Sequence, residues 1–259
     1  MSTPGHIWDD YRPEDRLHAR LPVHRKRVSR AQSIVRDWLA QSRSPYIACS
    51  GGKDSVAMLH LVQCVAGEPI PVLWHDSGVE WPGVDHVFER LRDRQLITRL
   101  HIVRPKHDVI ALKRRQLAGE ISAAAKDRLA LFEPLAEAVQ SAGYDASAVG
   151  LRQEESKARR MDASTHGPIY RRRDGILRCL PLLYWTWQDV YAYTALHSLP
   201  LHPIYSAPLL ELEHRGRIRL SWWLSTDHWR HGEIAWVRDN YPDIYARLRQ
   251  ALPNVRTIT

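Results

Sequence analysis

The chain has 259 residues, 44% hydrophobic and 25% charged, a balance that excludes a disordered polymer and is enough to bury a full globular core. Its formal charge of +8 admits an anionic partner, although arginine far outnumbers lysine, as a compositional bias alone would produce. No apolar run reaches the roughly 18 residues of a membrane span. The N-terminus lacks a signal-peptide core, and Cys49, Cys64 and Cys179 form no Cys-x-x-Cys pair, so a cytoplasmic chain with no membrane segment, disulfide or iron–sulfur cluster is expected.

In chain order, a polar leader over residues 1–28 precedes an amphipathic helix that Ser29 and Gln32 open as a capping box. Strand "PYIAC" follows, then "SGGKDS", then a helix from about Ser55 to Val65. "PIPVLWHDSG" reads as a buried strand ending in His75, Asp76 and Ser77, and Pro82 falls in the first turn of the next helix. "LITRLHIVRP" is a strand, two helical stretches run to about Ala142, and "DASAVG" is a strand entering Gly150. A hairpin is expected to turn at Arg173-Asp174-Gly175. Thr186 with Asp189 then caps a further helix, and two more helices part near Pro242. The alternation of strands and helices predicts an α/β fold, a Rossmann-like parallel sheet covered on both faces. Its ligands are expected beyond the carboxyl ends of the strands. The expected division is a leader over 1–28, a nucleotide-binding domain over 29–180, and a mainly helical subdomain over 181–259 packed on it.

The turn from Ser50 to Ser55 combines two glycines, two hydroxyls and Lys53 at the start of a helix, which makes an anion cradle. It is not a Walker A loop, because Ile47 and Asp54 occupy the places of the required glycine and hydroxyl. Asp54 can cap the helix or meet a Mg²⁺ carried on the phosphates.

The order strand, Ser-Gly-Gly-Lys-Asp-Ser, helix resembles the PP-loop of the ATP pyrophosphatase superfamily. Three further stretches resemble the phosphoadenosine phosphosulfate (PAPS) reductase family within it: "HDSGVEWP", "GLRQEESKARR" and "PLLYWTWQDVYAYTALHSLPLHPIY". The resemblance implies an adenine nucleotide alpha hydrolase-like fold that binds ATP, PAPS or adenosine phosphosulfate (APS). It implies that Ser50, Gly51, Gly52, Lys53, Asp54 and Ser55 hold the phosphates and that Asp76 and Ser77 lie beside the nucleotide. Gly150, Arg152, Glu155, Ser156 and Arg159 would form the opposite wall, with Lys53, Asp54 and Arg152 as the catalytic groups. Glu155 and Arg159 are also spaced as a helical surface pair. Trp185 and Trp187 read as packing residues.

Reductases of this family carry a cysteine near the C-terminus, whereas no cysteine follows Cys179 here. The expected chemistry is therefore cleavage of ATP between its α- and β-phosphates to adenylate an acceptor, in sulfur transfer or nucleic-acid modification. Thiol-dependent reduction of PAPS or APS, and a nucleotide-binding regulatory subunit without turnover, stand as alternatives. Arginine clusters at 20–30, 171–173 and 215–219 are expected to flank the crevice as one surface if the acceptor is nucleic acid. A partner protein and a homo-oligomer stay open. His228 and His231 read as a solvated helix face.

Overall fold

The computed structural model describes residues 8–206, 215–220 and 233–252. Strands β1 (Pro45–Ala48), β2 (Val72–His75), β3 (Leu100–Val103), β4 (Ala146–Val149), β5 (Ile169–Arg171) and β6 (Leu177–Cys179) form one sheet in the order β3-β2-β1-β4-β6-β5. All neighbours are parallel except β5, which pairs antiparallel with β6 at the edge. The chain builds outward from β1 to β3 and then returns to the other flank of β1. The strand order therefore reverses between β1 and β4, where a crevice opens.

The helices are α1 (Pro13–His18), α2 (Pro22–Leu39), α3 (Lys53–Ala66), α4 (Val84–Asp93), α5 (Val109–Leu117), α6 (Ala123–Asp127), α7 (Glu133–Ser141), α8 (Lys157–His166), α9 (Trp187–Leu196), α10 (Glu233–Asn240) and α11 (Pro242–Ala251). A π-helical turn, Arg128–Phe132, joins α6 to α7. Among the described residues, no helix is long and apolar enough to cross a membrane. Alternation along the strands sorts the two faces of the sheet. Ile47, Val72 and Trp74 enter the main core with residues of α2, α3, α4 and α9, while Tyr46, Leu73 and Val103 pack with Val139 of α7.

Three local expectations move. Ser29 does not start a helix: Pro22 takes the first turn and Ser29 lies exposed inside α2, since a proline's fixed φ and missing N–H suit that place. Pro82 lies ahead of α4 rather than in its first turn, because Gly83, at φ 93°, is the N-cap. The described part of the 1–28 leader, from residue 8 on, packs against the rest of the chain. α1 packs on α9, and Asp15 is buried against Arg215, whose guanidinium meets the carboxylate at 3.0 Å and lies 3.8 Å from the Tyr191 ring centroid. Residues on both sides of 180 share the main core, so α9 closes the sheet domain. The Thr186 capping box forms as read, with the Thr186 amide donating to Asp189 at 2.7 Å. The hairpin turns where expected, with Gly175 at φ 85°. His228 and His231 lie outside the described residues.

Two stability predictions follow from this packing. Asp15→Ala leaves the buried Arg215 guanidinium unpaired and should cost about 3 kcal/mol, read as a lower urea midpoint at unchanged slope. A loss below about 1 kcal/mol would mean that α1 is only loosely attached. The second concerns His60 of α3, whose Nδ1 lies 2.9 Å from the Tyr193 hydroxyl of α9 and whose ring is 4.5 Å from that of His197. Burial, helped by His197 and Arg94, lowers its pKa to about 4. The folded state thus needs the neutral imidazole, while the unfolded chain takes up a proton near pH 6.5. Stability is complete above that pH and falls toward pH 4, by roughly 1–2 kcal/mol after allowance for partial exposure. His60→Gln should flatten urea midpoints across that window, and an unchanged slope would assign the acid sensitivity to other groups.

Candidate active site

β1 runs through Cys49 into Ser50, and from there the chain folds around one hydroxyl. Ser55 Oγ donates to the Gly52 carbonyl at 2.9 Å, accepts from the Ser50 amide at 3.2 Å and lies 3.2 Å from Ser50 Oγ. Gly51 allows the turn with φ 76°, and a Cβ there would lie 3.2 Å from Val84 Cγ1. Gly150, at the end of β4, is glycine for space: a Cβ there would lie 2.9 Å from the Asp54 carbonyl oxygen. The two strand ends flanking the switch point therefore approach to backbone contact.

Behind this contact Lys53 and Arg152 are buried side by side, at 1% and 2% exposure. Asp54 joins them: Oδ2 lies 3.0 Å from Lys53 Nζ, and Oδ1 accepts from Arg152 Nε at 2.5 Å. Burial pushes the Asp54 carboxyl up, but Lys53 and Arg152 outweigh it and hold it below the usual range. Burial lowers Lys53, and Asp54 opposes that shift. Lys53 also donates to the Ile218 carbonyl at 2.8 Å and sits 5.1 Å from the Tyr205 ring centroid. Its amide donates to Tyr205 Oη at 3.0 Å. This lysine points inward and does not line the cleft. Asp54 spends one oxygen on each of these cations, so a Mg²⁺ at this carboxylate would have to share it with Lys53 and Arg152.

The cleft itself offers about 340 Å³. Of the residues singled out in the sequence, Ser50, Gly52, Asp54, Ser55, Gly150, Glu155 and Arg159 line it. Gly51, Lys53 and Arg152 stand behind it. Asp76 is turned to Arg104 at 2.8 Å and accepts from the Gly78 amide. Ser77 donates through amide and hydroxyl to Glu80, and Ser156 caps α8. Neither Asp76, Ser77 nor Ser156 is among the lining residues.

Several lining residues were not among the site residues read from the sequence, although Arg219 belongs to the 215–219 cluster. Arg219 lies 3.7 Å from Glu155 Oε2, which also receives Arg159, so two guanidiniums share one carboxylate at the wall. The helical pair Glu155 and Arg159 is thus formed and is also part of the cleft. Burial, with Arg219 nearby, lowers the Arg159 pKa. Glu80 is a third carboxylate in the lining; burial raises its pKa, only partly offset by Ser77. His75 is oriented by the Ala130 carbonyl, 2.8 Å from Nε2, and burial lowers its pKa. Leu73, Leu131, Leu135, Val149 and Leu151 give an apolar side, and Cys49 is the cysteine in the lining. Glu80 belongs to "HDSGVEWP" and was in view, whereas Arg219 and Tyr205 reach the cleft from more than 150 residues away from the loop.

The arginine clusters do not form one surface at the cleft. β6 runs parallel to β4, so the turn that enters β6 and carries Arg172 and Arg173 lies at the amino ends of the strands, opposite the loop. Arg215 is spent on Asp15, and Arg27 meets Asp189 at 2.7 Å.

Residues 44–212 match the phosphoadenosine phosphosulfate reductase domain family. The chain is 30% identical over 181 residues to a phosphoadenosine 5'-phosphosulfate reductase of Photobacterium profundum, across 67% of this chain and 68% of that one. It is 29% identical over 214 residues to sulfate adenylyltransferase subunit 2 of Xanthomonas euvesicatoria, across 71% and 67%. Among solved structures it is similar to the phosphate complex of the PAPS reductase of Candida auris, with a TM-score of 0.56 and 21% identity over 69% of this chain and 85% of that one. The U34-tRNA thiolase NcsA of Methanococcus maripaludis, with its [4Fe-4S] cluster, gives 0.52 at 14% identity over 90% and 80%. These last two likenesses concern the fold, an adenine nucleotide alpha hydrolase-like sheet. The family match begins at the residue before β1, spans the loop, the switch point and the Arg152 to Arg159 wall, and covers more than half of the sequence: the chain belongs to the PAPS reductase family of PP-loop proteins.

Proposed function

We propose that the protein binds ATP across the carboxyl ends of β1 and β4 and cleaves it between the α- and β-phosphates to adenylate an acceptor. The purine takes the apolar side made by Leu73, Leu131, Leu135 and Leu151, and the phosphates take the side made by Ser50, Ser55, Arg159 and Arg219. The N-terminus of α3 adds its dipole. An acceptor oxygen attacks the α-phosphorus, the bond to the bridging oxygen breaks, and pyrophosphate leaves with the electron pair. Arg159 and Arg219 offset charge gathering on the leaving group. Lys53, Asp54 and Arg152 act indirectly, by holding the loop against the β4 turn. The relative named as a sulfate adenylyltransferase subunit supports an adenylyl-transfer reading.

The observation that carries this reading over a thiol mechanism is the state of the cysteines. Thiolate attack requires a depressed pKa and access. Burial raises Cys49, Cys64 and Cys179 instead, and Cys49 and Cys179 are closed off from solvent. Sulfonucleotide reduction is the second reading, favoured by the names of several relatives and by the presence of Cys49 in the cleft wall.

The deciding experiment supplies ATP with labelled pyrophosphate and, separately, PAPS with reduced thioredoxin. Label is expected to enter ATP once the acceptor is present, and no sulfite should form. Sustained sulfite release that Cys49→Ser abolishes would establish the reductase reading. ATP binding with neither product would indicate a regulatory subunit. Affinity gives an independent check: Arg159→Ala and Arg219→Ala should each weaken ATP binding at least about tenfold, roughly 1.4 kcal/mol. Folding stability should stay within about 0.5 kcal/mol. Unchanged affinity in both variants would place the phosphates elsewhere.

A further inference from the structure

A second constellation sits at the start of α9, outside the cleft lining. Asp189 is fully buried, and its two oxygens are used differently. Oδ2 accepts from the Thr186 amide at 2.7 Å, the Thr186 hydroxyl at 2.8 Å and Arg27 at 2.7 Å. Oδ1 faces two imidazoles: His18 Nε2 and His24 Nδ1, each 2.9 Å away. One atom from each of the three residues falls within 4.8 Å of the others. His18 belongs to the end of α1 and His24 to the first turn of α2, so the cluster ties that corner to α9.

We propose that His18 Nε2, His24 Nδ1 and Asp189 Oδ1 form a binding site for a divalent transition metal ion of the zinc type, with solvent or a small anion as fourth ligand. Donors at about 2.0–2.1 Å from a zinc ion lie roughly 2.9–3.4 Å apart at bond angles between square and tetrahedral, so the two 2.9 Å separations already have the right scale. The carboxylate is prepared to bind through one oxygen, because three donors fix the other, as outer partners do around metal-bound carboxylates. Two imidazoles and one carboxylate select zinc, nickel or copper over magnesium and calcium, which want oxygen alone. Access comes through His18, which is 21% exposed; a pocket of about 490 Å³ touches His24 but is lined by neither His18 nor Asp189. Nε2 of His24, 1% exposed as a residue, has no hydrogen-bond partner among the described residues, so burial of this ring is not explained by hydrogen bonding at both nitrogens.

Four positive charges oppose the ion. Arg27 already meets Asp189, and Arg16, Arg20 and Arg25 line the same pocket. The expected affinity is therefore modest, on the order of micromolar. The arginines also favour an anion such as chloride or hydroxide in the fourth position.

The test titrates untagged, chelator-treated full-length protein with Co²⁺ alone, reading the visible ligand-field bands, then displaces it with Zn²⁺. A His228→Gln/His231→Gln/His197→Gln background removes the histidine pair three apart in the sequence and the His60–His197 pair, whose rings lie 4.5 Å apart. One equivalent of Co²⁺ should bind with the intense bands of low coordination number, and the metal should raise the melting temperature. His18→Gln and His24→Gln should each weaken binding at least about tenfold. His18 is partly exposed, so its variant carries the test if His24→Gln fails to fold. Absent or substoichiometric binding to the folded parent, or equal binding by His18→Gln, overturns the proposal and leaves the cluster as a hydrogen-bonded cap.

Discussion

Two cations buried next to each other require a carboxylate, and much of the site's architecture can be traced from that requirement. Lys53 and Arg152 are almost wholly removed from water, and Asp54 touches both. Replacing one partner of such a set would strand a buried charge, at a cost of about 3–5 kcal/mol. The network continues outward. Arg152 also pairs with Glu154, whose carboxylate accepts from the Trp187 amide at the start of α9, and the Arg152 amide donates to Glu155 at 2.8 Å. A line of alternating charge thus runs from the first turn of α3 to the first turn of α9. It binds the loop after β1, the turn after β4 and the helix that closes the sheet.

This explains which parts were legible in the sequence. Thr186 and Asp189 act within one turn, so their cap could be read from spacing, and the Gly175 turn is equally local. Strand positions followed from apolar runs because the sheet is covered on both faces. The loop from Ser50 to Ser55 was legible as an anion cradle because glycines, hydroxyls and a helix start coincide there. The direction of Lys53 was not. It depends on Ile218 and Tyr205, both more than 150 residues away, and a lysine beside a phosphate loop reads as a ligand unless its partners are known. Ser29 misled for a related reason: two good starts competed for one helix, and the contacts of α1 and α2 with α9 favoured the earlier one.

The arginine excess divides in the same way. Composition could only announce a basic chain. In the structure, Arg215 and Arg27 neutralise buried carboxylates, Arg159 and Arg219 stand at the cleft, and Arg171 to Arg173 lie at the opposite end of the sheet. A net charge of +8 is thus spread among packing, ligand wall and surface. Among the described residues it is not gathered into one footprint at the cleft.

The cleft and its support treat charge oppositely, and that contrast bears on how a nucleotide could enter and leave. Behind the loop, Lys53 and Arg152 share Asp54, Arg152 adds Glu154, and little water reaches them, so exchange is expensive. At the wall, Arg159 and Arg219 share Glu155, Arg219 is 45% exposed, and Glu80 is driven by burial toward its neutral form. Two guanidiniums on one carboxylate leave an unmet demand for negative charge, which a phosphate or sulfate oxygen can supply without first stripping a fully paired cation. Because that pair is partly in water, the contact is also reversible. The rigid ion network sets the geometry of the loop, while the under-neutralised arginine pair supplies the attraction. A site built this way can hold its loop in place before any anion arrives and still exchange that anion at the wall.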